Sequence, residues 1–230
     1  MIDIHSHILP GIDDGSQSVE ESHALLALLR EQGVETVVAT PHFYADRNDP
    51  ENFLRLRKEA LARLDHGETE MPRILLGAEV AYFDGMSHSA ELLDLQLGTS
   101  GLLLVEMPFA AWTQRMIAEV CQLQLLTGLT PVLAHVERYR RADRLPKFKR
   151  QLLEQGVLFQ CNAEAFLSMR DRRWALSLLK KGDIHFLGSD AHNLTTRPPQ
   201  LAQAAAVITQ KLGADAFARL AALNKEQLNL

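Results

Sequence analysis

The 230-residue sequence predicts an α/β fold, a TIM-like (β/α)7 barrel of parallel strands. Three observations predict it. Short β-branched or apolar runs bounded by Gly and Pro alternate with helical patterns seven times, and each crossover helix returns the chain to the same end of a parallel sheet. No Gly-rich phosphate loop follows the first run, which favours a barrel over a doubly wound sheet. Potential metal ligands close the runs, on the face where such a barrel carries its site.

Residues 2–4 open the series as an apolar strand. A helix over 19–32 follows: Ser18 and Glu21 form a capping-box pattern, Leu25, Leu28 and Leu29 share one face, and Gly33 ends it. The β-branched run 36–40 is the second strand, with a helix over 50–66. Strand 74–80 leads into helix 88–95, and strand 102–105 into helix 114–127. Strand 131–134 precedes helix 144–155, strand 157–161 precedes helix 172–181, and strand 185–188 precedes helix 199–212. Residues 214–228 read as a last surface helix.

With 47% hydrophobic residues, the chain supports one core and one domain over 1–230. Its net charge of −5 argues against general nucleic-acid binding, and divalent cations would offset part of it. Cys121 and Cys161 fit neither a zinc knuckle nor a redox pair and read as reduced thiols. No apolar run approaches the ~20 residues of a membrane helix. The ligand motif begins at residue 3 and leaves no room for a signal peptide, so the expected compartment is the cytoplasm, not the membrane itself.

The strand ends carry the chemistry. The first gives His5 and His7, alternate residues that share one face of a strand. The next loop carries Asp13 and Asp14. Later strands end in Thr40-Pro41-His42, Gly77-Ala78-Glu79, Val105-Glu106, Ala134-His135-Val136-Glu137-Arg138 and Ser189-Asp190-Ala191-His192. Gln160 and Asn162 stand at the sixth. Any one His or Glu in such a place is ordinarily a hydrogen-bonded or solvated residue. Their convergence on one barrel face would set buried carboxylates against each other, a cost that metal ions remove.

These motifs resemble the polymerase-and-histidinol-phosphatase (PHP) superfamily. The run from Asp3 to Gly15, with the His42, His135–Tyr139 and Ser189–His192 motifs, is similar to its bacterial manganese-dependent tyrosine-protein phosphatase family, linked to capsular and exopolysaccharide operons. The resemblance covers almost the whole chain. It implies a distorted seven-stranded barrel with a three-metal cluster. His5 and His7 would hold the first ion, with Glu79 bridging to a second held by Glu106 and His135. His42, His192 and Asp14 (or its neighbour Asp13) would hold a third, with Asp190 bridging it to the first. Many superfamily members use His where Glu106 stands, and the carboxylate fits the tyrosine phosphatase branch. Imidazole and carboxylate ligands without thiolates suit Mn²⁺, Fe²⁺ or Zn²⁺; the resemblance selects Mn²⁺.

The implied reaction is phosphotyrosine hydrolysis by metal-bound hydroxide. No protein nucleophile is needed, and neither cysteine starts a Cys-x₅-Arg pattern: Thr127 and Leu167 stand six residues on. Arg138 and Arg197 match positions that the family uses to grip phosphate, and Arg offers a fork for two phosphoryl oxygens. A tyrosyl oxygen, with a conjugate-acid pKa near ~10, needs little protonation; His42 or a metal-bound water is the candidate donor. Phe43, Tyr44, Phe109 and Trp112 are candidates to stack on the ring, or else pack loops onto the barrel. Arg138, Arg140, Arg141, Arg144, Lys147, Lys149 and Arg150 form a basic run, either a solvated face or a dock for an acidic or phosphorylated peptide. The resemblance points to a phosphotyrosine protein as partner, the tyrosine-rich tail of a membrane-anchored bacterial tyrosine kinase. The rivals are a small-molecule phosphatase such as histidinol phosphatase, a phosphodiesterase, an amidohydrolase and a non-catalytic kinase-tail binder.

Overall fold

The computed structural model describes residues 1–64, 71–140 and 144–230, the last without the Arg144 side chain. Among these, the order is β1 (Ile2–Ser6), α1 (Val19–Glu31), β2 (Thr36–Ala39), β3 (His42–Phe43), α2 (Pro50–Ala62), β4 (Arg73–Leu76) and β5 (Glu79–Ala81). Then come β6 (Leu102–Glu106), α3 (Gln114–Thr127), β7 (Thr130–Leu133), α4 (Arg144–Glu154), β8 (Leu158–Asn162) and α5 (Ala163–Leu167). The chain continues with α6 (Arg172–Lys181), β9 (Phe186–Gly188), α7 (Leu201–Leu212) and α8 (Ala214–Gln227). Residues 65–66 of the expected helix 50–66 lie outside the described residues.

Every strand pair is parallel, in two pieces ordered β1-β2-β4 and β3-β5-β6-β7-β8-β9. The sheet curls. Its last strand comes back to its first, because Asp190 donates its N–H to the His5 carbonyl at 2.8 Å and His7 donates to the Ala191 carbonyl at 2.9 Å. The fold is thus α/β with a curled parallel sheet of the TIM type.

The two pieces exist because two expected strands break. Residues 36–40 stop before Pro41, which has no N–H for the ladder. Residues 74–80 break at Gly77-Ala78, where a Cβ on Gly77 would come within 2.8 Å of the Leu97 side chain. Neighbouring residues of one strand fall into two apolar clusters, as the pleat demands. Val37, Leu103, Leu133 and Leu187 join helix residues such as Leu25, Ile117 and Leu152. Val38, Leu104, Val132 and Phe186 join Ile2, Ile4, Leu97 and Leu228, filling the inside of the curl.

Two local expectations change. Ser18 caps α1 by accepting from the Glu21 N–H, but the Glu21 carboxylate accepts from the Gln17 N–H and not from Ser18, so the capping box is half made. In place of a helix over 88–95 stand two 3₁₀ turns, Met86–His88 and Ala90–Leu95, split at the extended Ser89. Their buried Leu92 and Leu95 are three residues apart, the spacing that a 3₁₀ turn puts on one face.

Candidate active site

The strand ends bring all the expected ligands together. Glu79, on β5, is the centre. Its Oε2 lies 3.1 Å from His5 Nε2, 3.1 Å from His42 Nδ1 and 3.3 Å from His7 Nε2; its Oε1 lies 2.9 Å from His135 Nε2. Glu106, the last residue of β6, lies 3.3 Å from His135 Nε2. Asp190 Oδ1 is 3.5 Å from both His5 and His7 and 3.6 Å from His192. Asp14 Oδ1 is 3.4 Å from His42 and 3.5 Å from His192. Three sets have donor atoms within 4.8 Å of one another: His7, Asp14, His42 and His192; His5, His7 and Asp190; and His42, Glu79 and Glu106. Backbone strain marks two of these positions, since His135 (φ 33°) and Asp190 (φ 53°) adopt left-handed conformations that cost a non-Gly residue energy.

A shell of polar groups aims the rings. Asp13 accepts from His7 Nδ1 at 2.7 Å and from the backbone N–H of Gly15 and His42, so its carboxylate is engaged behind the site. Asp14, two-thirds exposed, is the one that faces His42 and His192. Gln160 Oε1 accepts from His5 Nδ1 at 3.2 Å and from the His135 N–H at 2.6 Å. His192 Nδ1 donates to the Asp190 carbonyl. Asp3 ties β1 to the turn after β9 by accepting from the N–H groups of His5 and Ser189. These partners turn the other nitrogens of His5 and His7 inward to 3.2 Å of each other, an arrangement typical of ligating imidazoles. His42 Nδ1 and His192 Nε2 are buried without a hydrogen-bond partner. Nitrogen atoms orphaned among carboxylates fit a bound cation.

The electrostatics agree. Burial would raise the Glu79 and Asp190 carboxyls, but the charge on His5 and the surrounding hydrogen bonds hold both well below the usual carboxylate range. Burial would lower His7, yet Asp13, Asp190 and Glu79 lift it well above its ordinary value. Glu106 and Glu79 likewise overcome burial to raise His135 to about 9. Burial, then the charge on His7, push His192 down to about 4. The site therefore holds buried anionic oxygen that demands positive charge, a demand that a bound cation or protonated imidazoles would meet.

Two arginines border this cluster. Asp190 turns its second oxygen to Arg138, to Arg197 at 2.7 Å and to Asn162 Nδ2 at 2.8 Å. Arg197 is brought back by a tight loop in which Asn193 Oδ1 accepts from the N–H groups of Thr195, Thr196 and Arg197. Both guanidiniums stay about one-third exposed, with donors left for a ligand. Sequence reasoning missed Asp3 and Asn193. An Asn heading a Thr-Thr pair was the available sign of that turn.

The aromatic candidates divide. Phe43 and Trp112 are buried, and Trp112 packs edge-on against Tyr139 and donates to the Pro108 carbonyl. Tyr44 lies 5.5 Å from His42, and half-exposed Phe109 stacks on His135 at 14° and 6.1 Å. Phe109 also walls a cleft of about 320 Å³ with Arg138, Glu137, Glu164, Ser168 and Asp171. Among its described residues the basic run divides as well. Arg138 pairs with Asp190 beside the cluster, Arg140 pairs with Asp171, Lys149 pairs with Asp183, and Arg150 reaches toward Glu154 in solvent. Arg141 and the Arg144 side chain lie outside the described residues.

The family model for capsular polysaccharide synthesis, CpsB/CapC, matches residues 1–229. Tyrosine-protein phosphatase CpsB of Streptococcus pneumoniae is 36% identical, covering 93% of this chain and 92% of its own length. Tyrosine-protein phosphatase YwqE of Bacillus subtilis (strain 168) is 29% identical, covering 94% and 86%. A solved structure among those of YwqE and CpsB, described as unique metal-dependent tyrosine phosphatases, superposes with a TM-score of 0.85 at 29% identity, covering 98% of this chain and 93% of that one. With a match from end to end and a fold that superposes as closely, the chain belongs to the CpsB/CapC family of capsular polysaccharide synthesis.

Proposed function

We propose that this chain is a metal-dependent protein-tyrosine phosphatase of polysaccharide synthesis. The observation that carries the reading is a pocket of imidazoles and ionised carboxylates centred on Glu79, with two arginines meeting at Asp190 on its border. His5, His7, Glu79 and Asp190 would hold one ion; Glu79, Glu106 and His135 a second; Asp14, His42 and His192, with Asp190, a third. Manganese is the proposed metal. When bound, such ions supply a water-derived nucleophile at neutral pH and neutralise phosphoryl charge.

The chain's own residues do the rest. Arg138 and Arg197 present N–H groups at the rim of the cluster, where they grip the non-bridging phosphoryl oxygens and hold phosphorus in line. Phe109, exposed beside His135, offers a face to the tyrosyl ring. Both nitrogens of His42 lie against carboxylates, which supports a ligand role over proton donation. The proposed substrate is the tyrosine-rich tail of a membrane-anchored bacterial tyrosine kinase, met in the cytoplasm. No helix among the described residues is long and apolar enough to cross a membrane.

We also read the sheet as one seven-position barrel, counting β2 with β3 and β4 with β5 as single broken strands. Only two residues separate each pair, and the Gly77 and Glu79 N–H groups bridge the gaps by donating to the Ala39 and Pro41 carbonyls.

Phosphate release by metal-stripped protein, with Mn²⁺, Fe²⁺ or Zn²⁺ restored, tests the function. Release from a phosphotyrosine peptide, with little from phosphoserine or histidinol phosphate, is expected. No release with any metal, or faster turnover of histidinol phosphate, would overturn it.

A further inference from the structure

A second concave surface lies away from the metal-ligand cluster. The C-termini of α6 and α7 and the flank of α8 that carries Ala216, Arg219, Leu220 and Leu223 line a groove of about 680 Å³. The C-terminus of α6 leads into the start of β9, so the groove lies at the strand N-terminal end, opposite the ligand-bearing ends. Its floor is apolar: Ile184 and Leu220 are buried, and Leu212 and Leu223 half-buried. Its rim is cationic, with Lys180, Lys181, Lys211 and Arg219 all exposed. None of the lining residues is acidic, and among the described residues none of these four cations is in an ion pair.

Lysines in the last turn of a helix have an ordinary role, neutralising the negative end of the helix dipole. That accounts for Lys180, Lys181 and Lys211. It does not account for Arg219, which is near the middle of α8, or for the apolar floor between them. Unpaired cations gathered on one patch of a chain with net charge −5 make a local field that selects a negative occupant. The floor, with Ile184 and Leu220 buried below the exposed cations, has a shape suited to side chains inserted between them. A flat lipid surface would meet the rim and leave the floor uncovered.

We infer that this groove docks an acidic, amphipathic peptide segment of a partner protein, with apolar side chains in the floor and carboxylates on the four cations. It is the helix-in-groove mode of recognition with complementary charge at the edge. Because it faces away from the cluster, it acts as a remote anchor: it raises the local concentration of a protein substrate without touching the reacting group. The binding itself does not depend on the phosphatase reading.

The test is fluorescence anisotropy with a labelled helical peptide carrying Glu on one face and Leu on the other. The protein is compared with the K180E/K181E/K211E/R219E variant and with Leu223→Ser. Binding should weaken about tenfold or more in the charge variant, corresponding to roughly 1.4 kcal/mol. It should also weaken in Leu223→Ser and fall with added salt. Turnover of a small aryl phosphate should be unchanged in both variants, which also establishes that they fold. Equal binding by parent and charge variant would overturn the inference. So would equal binding of a Glu peptide without Leu, or retention on anionic vesicles with no binding of the peptide.

Discussion

Asp13 and Asp14 are adjacent and identical, and the fold gives them different work. Asp13 is buried behind His7, where its carboxyl is held down at about 2: the His7 hydrogen bond and charge outweigh the opposing effect of burial. Asp14 stands in solvent facing His42 and His192. The sequence shows an acidic pair but not which member points inward, because that depends on the turn at Gly15. A Cβ there would meet the His7 carbonyl at 2.2 Å. Asp13→Ala should weaken Mn²⁺ affinity about 10- to 100-fold, as loss of an orienting carboxylate does. The measurement is activity against Mn²⁺ concentration, and an unchanged half-saturation point would remove Asp13 from that role. Arg197→Ala should lower kcat/KM on a phosphotyrosine peptide by roughly 10²-fold, in line with loss of one charge-stabilising donor. Bound metal, measured by elemental analysis, should stay at the parent level. Full activity in this variant would show that Arg138 holds the phosphoryl group alone.

At the level of elements, amphipathic helices were the most legible. The expected bounds of α3 and α6 are met residue for residue, and both end at a left-handed glycine, Gly128 and Gly182. Strand interruptions were less so, because the breaks at Pro41 and Gly77 depend on how neighbouring strands and Leu97 approach. Hence the two-residue β3, which carries His42, was absent from the strand reading though His42 itself was not. Gly188 shows such an approach at the seam between β9 and β1. A Cβ there would lie 2.6 Å from His5 Cβ and 2.8 Å from Gln160 Nε2. Gly188→Ala should cost about 1–3 kcal/mol by overpacking and displace His5, lowering activity further than stability. Denaturant midpoints and turnover measured together check this; a variant with normal values of both would mean the seam yields. His185, just before β9, has its own acid sensitivity. Its Nδ1 accepts from the Phe159 N–H, so the folded ring is neutral, and burial lowers its pKa. The unfolded chain takes up the proton first, so this increment of stability is lost as pH falls below the unfolded value of about 6.5. His185→Asn should therefore lose less stability between pH 7 and 5 than the parent, read from urea unfolding at each pH. Identical losses would place the acid sensitivity elsewhere.

For the molecule as a whole, the barrel-like fold and its ligand face were readable because repetition and strand-end position are both linear in sequence. What covers the site was not. Phe43 and Trp112 went into the core, against Phe53 and Phe148, while Phe109 stayed half out beside His135. The concentration of ionised oxygen around Glu79 and Asp190 also bears on global stability. A metal at about 100 times its dissociation constant adds about 2.7 kcal/mol to folding. In a chain of this size each kcal/mol moves the melting point by about 2–4 °C. Removing metal with a chelator should thus lower Tm by roughly 5–10 °C, and Mn²⁺ should restore it in scanning calorimetry. Indifference of Tm to both would sink the metal centre itself. The seam where Asp190 and Ala191 bond to His5 and His7 joins segments about 185 residues apart in the chain. During synthesis, the first histidines leave the ribosome long before their partners are made. A product truncated before residue 190 lacks Asp190 and His192, so two of the three donor sets stay incomplete in the nascent chain until those residues have emerged.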